Sequence, residues 1–133
     1  MQQVTAIQQA ISIPRLFPED EQNTAKRVMA AWAEKQGKHA VFESGQTYIA
    51  TVYGERYRFQ CQRRTENNRY GFQRKTLPEQ KLDGILLFRQ SEEADNKYLW
   101  RLYTPEEILG GKTEGRRVIS PNFDEDSEDY VIL

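Results

Sequence analysis

The chain has 133 residues, 38% of them hydrophobic and 29% charged, which is enough for one modest core and too little for two domains. No apolar run nears the ~20 residues of a membrane-spanning helix, and the N-terminus lacks a charged-then-apolar signal pattern, so no membrane partner is expected. The single cysteine, Cys61, excludes an internal disulfide and any multi-cysteine metal site, and a reducing cytoplasm is the expected location.

In chain order, Val4, Ile7 and Ile11 predict a short helix over 1–13, ended by Pro14 and followed by a connector to Pro18. Over 19–36, Ala25, Val28, Met29, Trp32 and Ala33 fall on one face at three- and four-residue spacing, acidic residues fill the first turn, and Gly37 stops the helix. A short strand is expected over 39–42, then strands over 47–53 and 56–64 joined by a tight turn at Gly54. In the second of these, Tyr57, Phe59 and Cys61 alternate with Arg58, Gln60 and Gln62, the period-two pattern of a half-buried strand. After a turn-rich stretch over 65–69, residues 70–76 are expected as the next strand of an antiparallel meander. Ile85, Leu86, Leu87 and Phe88 are apolar without alternation, so 82–89 reads as a central strand.

A polar loop over 90–97 leads to a strand over 98–103. Thr104-Pro105-Glu106-Glu107 then starts a helix, with Thr104 as cap, Pro105 in the first turn and Glu107 where a capping box needs it; Gly110-Gly111 ends it. Beyond lies loop, up to Tyr130-Val131-Ile132-Leu133, a segment suited to docking or terminal contact. The order predicts an α/β (α+β) fold: one domain over 1–120, a mixed and mostly antiparallel sheet flanked by helices, and an acidic tail over 121–133.

Net charge is -1, but it is segregated along the chain. Over 54–81 eight basic residues (Arg56, Arg58, Arg63, Arg64, Arg69, Arg74, Lys75 and Lys81) face three acidic ones, whereas 121–133 carries five acidic residues and no basic one. This fits a polyanion-binding middle with a solvated or self-masking tail.

Several stretches then align into a familiar order: a helix with Glu21 early and Gly37 at its end, the strand Lys38-His39-Ala40-Val41-Phe42, the strand Tyr57-Arg58-Phe59-Gln60-Cys61-Gln62, the apolar strand opened by Leu82-Asp83-Gly84, and Leu99 to Tyr103 running into the capped helix. Over 21–109 this resembles the small PD-(D/E)XK nucleases, such as intron-associated homing endonucleases and Holliday-junction resolvases. The resemblance implies a restriction-endonuclease-like sheet, DNA as partner and pairing into a homodimer. It also places the catalytic aspartate at Thr47, the glutamate or glutamine at Gln60 and the lysine at Gln62. Those three residues supply no charge, and Mg²⁺ usually keeps a carboxylate ligand, so the expectation is a degenerate site with no cofactor. Mg²⁺ enters only in an alternative, an active endonuclease rescued by Glu43 or Asp83 as ligand, or by Gln73-Arg74-Lys75 as a displaced glutamine–x–lysine motif.

From the residues, Arg56, Arg58, Arg63, Arg64, Arg69, Arg74 and Lys75 are the expected phosphate contacts. Their bland alternative is a solvated sheet face paired with nearby glutamates. Tyr53, Tyr57, Tyr70 and Phe72 suit base stacking or, more simply, cross-strand core pairs. His39 reads as structural, Cys61 as an inert core thiol, and Trp32 and Trp100 as core. The acidic tail offers a third functional class, contact with a protein partner.

Overall fold

The computed structural model describes residues 18–45 and 48–133. The helix expected over 1–13 and position Thr47 lie outside the described residues. Helix α1 (Pro18–Lys35) carries the expected apolar stripe, and Ala25, Val28, Met29, Trp32 and Ala33 are all buried. Gly37, at φ 72°, turns the chain out of the helix in a conformation that costs a glycine little.

Strands β1 (Ala40–Phe42), β2 (Ile49–Val52) and β3 (Glu55–Gln62) form an antiparallel meander. The β2–β3 turn is two residues long, with Tyr53 at φ 51° and Gly54 at φ 84°, so both take the left-handed conformation that a tight hairpin favours.

At the end of β3 the sequence expectation fails. Strand β4 (Tyr70–Gln73) does not continue the meander but pairs with β7 (Arg116–Ile119) in a separate two-stranded sheet. The cause lies in Gln62 and the loop after it. The Gln62 amide oxygen accepts from Asn68 N at 2.9 Å, its Nε2 donates to Arg69 O at 3.1 Å, and Asn68 turns at φ 57°. The chain is thereby lifted off the sheet, and the place beside β3 is taken by β5 (Gly84–Gln90) in parallel, after the short helix α2 (Leu77–Gln80). A parallel neighbour requires such a crossover.

Strand β6 (Lys97–Tyr103) and helix α3 (Pro105–Leu109) follow, and β8 (Tyr130–Ile132) pairs with β6. Among the described residues the main sheet has the order β1-β2-β3-β5-β6-β8, and only the β3–β5 pairing is parallel. The fold is therefore mixed α+β with one mixed sheet.

Strand β5 explains why its run of apolar residues does not alternate. Leu86 and Phe88 enter the core beneath α1, with Tyr57, Phe59, Tyr98 and Val131. Ile85 and Leu87 enter a second core on the opposite face, with Tyr70, Phe72, Leu77 and Ile108. Each such side chain, fully buried, contributes about 1.5–3 kcal/mol of transfer free energy. The small β4–β7 sheet and the two short helices are thus the lid of the second core.

The acidic tail is joined to this frame. Phe123 packs on Tyr70 with ring centroids 6.4 Å apart, Arg101 Nη1 donates to Asn122 O at 2.9 Å, and Val131 is buried in the edge strand. No helix of the described residues is long and apolar enough to cross a membrane.

Candidate nucleic-acid interface

Strand alternation sets the chemistry of β3. Tyr57 and Phe59 point to the α1 core, so Arg56, Arg58, Gln60 and Gln62 take the face shared with Ile85 and Leu87. That face is only partly covered by the small sheet, and the four polar residues meet different surroundings along it.

At its start, Arg56 is held by acidic and carbonyl groups. Its Nε donates to Glu43 Oε2 at 2.8 Å, its Nη2 to Glu43 Oε1, and its Nη1 to the Gln80 carbonyl. The hydrogen bond from Arg56 holds the Glu43 carboxyl below its ordinary value. Asp83 Oδ2 accepts from the Arg56 backbone N–H at 2.8 Å, and Asp83 N donates to Arg56 O at 2.7 Å. Glu43 and Asp83, the two carboxylates that could rescue a metal site, are therefore both engaged with Arg56.

At its end, Gln62 is a structural amide. Besides its bonds to Asn68 and Arg69, its Oε1 accepts from Arg89 Nη1 at 3.1 Å, while Arg89 Nη2 donates to the carbonyls of Arg64 and Glu66 at 3.0 Å each. An amide both accepts and donates here. A lysine, which only donates, would lose both accepted bonds and face the Arg89 guanidinium.

Between these ends lies a cleft of about 450 Å³, bordered by Arg58, Gln60, Gln62, Glu66, Gly71 and Arg116, with Tyr48, Cys61 and Ala25 completing its lining. The Arg58 guanidinium lies 4.8 Å from the centroid of the Phe72 ring and donates a long 3.4 Å bond to Gln80 Oε1. Burial holds its pKa below the ordinary arginine value. Among the described residues neither Arg58 nor Arg116 has a carboxylate within ion-pair distance. Glu66 accepts from the Arg63 backbone N–H at 2.8 Å and lies 3.9 Å from Arg63 Nε.

Gly71 creates the space for Arg116. Its φ is not in the left-handed region, so the backbone does not require glycine there. A Cβ at Gly71, however, would come within 2.3 Å of Arg116 Nη2 and 2.8 Å of Cζ. The guanidinium occupies the volume that any other side chain at 71 would fill.

The seven expected phosphate contacts thus separate. Arg56 is ion-paired, Arg64 binds Asp95 at 2.6 Å and Ser91 O at 2.9 Å, and Arg74 Nε donates to the α3 carbonyl of Leu109 at 3.0 Å. Arg63 adjoins Glu66, and Arg58 faces the cleft. Arg69 and Lys75 are exposed. Arg116, absent from those seven, joins Arg58. The signal that could have found it is Gly115-Arg116-Arg117-Val118-Ile119, a basic pair followed by two β-branched residues in a stretch expected as loop.

Of the aromatic candidates, Tyr57, Tyr70 and Phe72 are core, while Tyr53 is 82% exposed with Lys38 Nζ 5.3 Å from its ring centroid. Trp32 makes edge contacts with Tyr57 at 5.3 Å and Trp100 at 6.0 Å, as core residues do. His39 is exposed at the mouth of β1. Burial pushes the Cys61 thiol up to about 12, which suits an inert thiol.

Among the described residues the groups at the expected metal positions offer Mg²⁺ little. Gln60 and Gln62 carry no charge, Glu43 is paired with the Arg56 guanidinium, Asp83 accepts from the Arg56 backbone N–H, and among the described residues no three of His, Cys, Asp and Glu gather as a metal site. Comparison with family models, with curated proteins and with solved structures finds no match for this chain.

Proposed function

We propose that this chain binds nucleic acid, DNA foremost, and that its core is a restriction-endonuclease-like nuclease core that has lost its catalytic groups. The observation that carries the reading is the pair Arg58 and Arg116, two guanidinium groups on one cleft with no carboxylate partner among the described residues. Guanidinium groups bind phosphate by paired, charge-assisted hydrogen bonds. Arg69 and Lys75 are exposed as well.

The lack of cleavage follows from the same face. The amide at Gln62 is bonded into the fold, and the Glu43 carboxylate is paired with the Arg56 guanidinium. An active Mg²⁺-dependent site built on Glu43 would require it to leave the Arg56 guanidinium, exposing that charge on a partly buried face, and one built on Asp83 would compete with its bond from the Arg56 backbone N–H. A protein-contact role for the acidic tail has less support, because its segment is engaged in fold contacts. Glu125, for example, accepts from Ser91 Oγ at 2.6 Å and Glu92 N at 2.9 Å.

The experiment is retention of labelled DNA over a salt series, run beside a nicking assay on supercoiled plasmid with Mg²⁺ or Mn²⁺. Salt-sensitive retention without nicking is the expected result. Nicking that disappears in Glu43→Ala would restore the endonuclease reading, and absence of retention at low salt would remove the nucleic-acid reading.

A further inference from the structure

The cleft differs from the surfaces that read duplex DNA. Duplex readers push a helix or a two-stranded ribbon into a groove about 12 Å wide. Here the positive groups border a recess. Arg58 is half-buried against Phe72, and Arg116 lies flat over Gly71. A recess takes in what projects from its ligand. Its volume of about 450 Å³ falls within the ~300–1,000 Å³ of sites that enclose one small molecule.

One polar group of its lining is also distinctive. Among the described residues the Gln60 amide makes no side-chain hydrogen bond, although the neighbouring Gln62 amide makes three. An amide with both donors and its acceptor available matches the hydrogen-bonding edge of a base. The Watson–Crick edge is accessible only when the base is unpaired, and the groove edge of a paired base, which an amide also matches, does not project into a recess.

We propose that the cleft seats one unpaired nucleotide, with its phosphate on Arg58 and Arg116 and its base edge toward Gln60, so that the chain prefers single strands or overhangs to blunt duplex. This rests on the nucleic-acid reading and adds to it the structural class of the ligand. Gly71 is part of the seat, since its missing Cβ lets Arg116 reach across.

The test uses the full chain and fluorescence anisotropy with three probes of one sequence: a single strand, its blunt duplex, and a duplex with a short overhang. The single strand and the overhang should bind about tenfold or more tightly than the blunt duplex, the scale of one charge-assisted contact. Arg116→Ala removes an exposed side chain. Gly71→Ala needs only the flexible end of that arginine to move. Both variants should keep the wild-type melting temperature and lose most of the preference. Equal affinity for all three probes, or a preference unchanged in both variants, would overturn the unpaired-nucleotide seat and leave general nucleic-acid binding intact. Failure to bind any probe at low salt would overturn the parent reading with it.

Discussion

Gln62 accepts from Asn68 N and Arg89 Nη1 and donates to Arg69 O, so one side chain fixes the turn that carries the chain off the main sheet. Replacing it by lysine leaves those donors without an acceptor and sets two positive groups together. Gln62→Lys should lower stability by about 1–3 kcal/mol, read as a fall in the urea midpoint at unchanged slope. An unchanged midpoint would mean that the amide does not hold the turn. Gly84 makes a second residue-scale case. It lies beside Tyr57 in the parallel pair, and a Cβ there would meet the Tyr57 ring at 2.8 Å and Leu102 at 3.0 Å. The ring is wedged against Trp32 and cannot simply swing away. Gly84→Ala should therefore cost about 1–3 kcal/mol by overpacking, whereas Gly71→Ala, which meets only a flexible arginine, should cost far less. Measuring both in one thermal series separates the two glycine roles.

Helix α3 shows how much a local pattern can settle. Thr104 Oγ1 accepts from Glu107 N at 3.1 Å, and Thr104 N donates to Glu107 Oε1 at 2.7 Å, the reciprocal capping box that Thr104-Pro105-Glu106-Glu107 predicts. Thr104→Ala should cost about 1 kcal/mol, seen as a lower unfolding midpoint with the fold retained. Helix α1, the β2–β3 turn and the doubly buried β5 were legible for the same reason, since each follows from residues within one element.

The fate of β4 was not legible. Tyr70 and Phe72 have the alternation of a meander strand, and neither the bonds that the Gln62 amide makes in the following turn nor the pairing with β7 more than forty residues later shows in that alternation. The pairing of the arginines was hidden too. Arg64 meets Asp95 and Arg56 meets Glu43 only once the strands have assembled, so a basic stretch in sequence did not become a continuous basic surface.

The tail segment offers a pH-dependent prediction at this scale. Burial raises the Glu125 carboxyl, but the hydrogen bonds from Ser91 and Glu92, with Lys97 and Arg64 nearby, outweigh it and leave the pKa lowered. A carboxyl depressed in the folded state contributes stability above its unfolded pKa and loses it as pH falls through the folded value. The tail contact should therefore loosen in acid, and Glu125→Gln should reduce that acid sensitivity. Amide exchange in β8 between neutral and acidic pH reports it directly. Equal acid sensitivity in both proteins would rule the carboxyl out as cause.

At the scale of the molecule, a mixed sheet with a core on each face leaves one polar strand face partly open, and the open part carries Arg58, Gln60 and, from the small sheet, Arg116. Sequence picked out the alternation of β3, with Arg58 on its polar side. It could not supply Arg116, which reaches the cleft only through the β4–β7 pairing and across Gly71. If these two guanidinium groups bind nucleic-acid phosphate on a core that does not cleave, the salt dependence of binding must carry their signature. The slope of log affinity against log salt for single-stranded DNA, compared between the wild type and Arg58→Ala/Arg116→Ala, reads it out. The slope should become shallower by roughly 0.7 for each phosphate that the double variant no longer neutralises, with the DNA intact throughout in Mg²⁺. An identical slope in both proteins, or shortened DNA in the wild-type reaction, would contradict it.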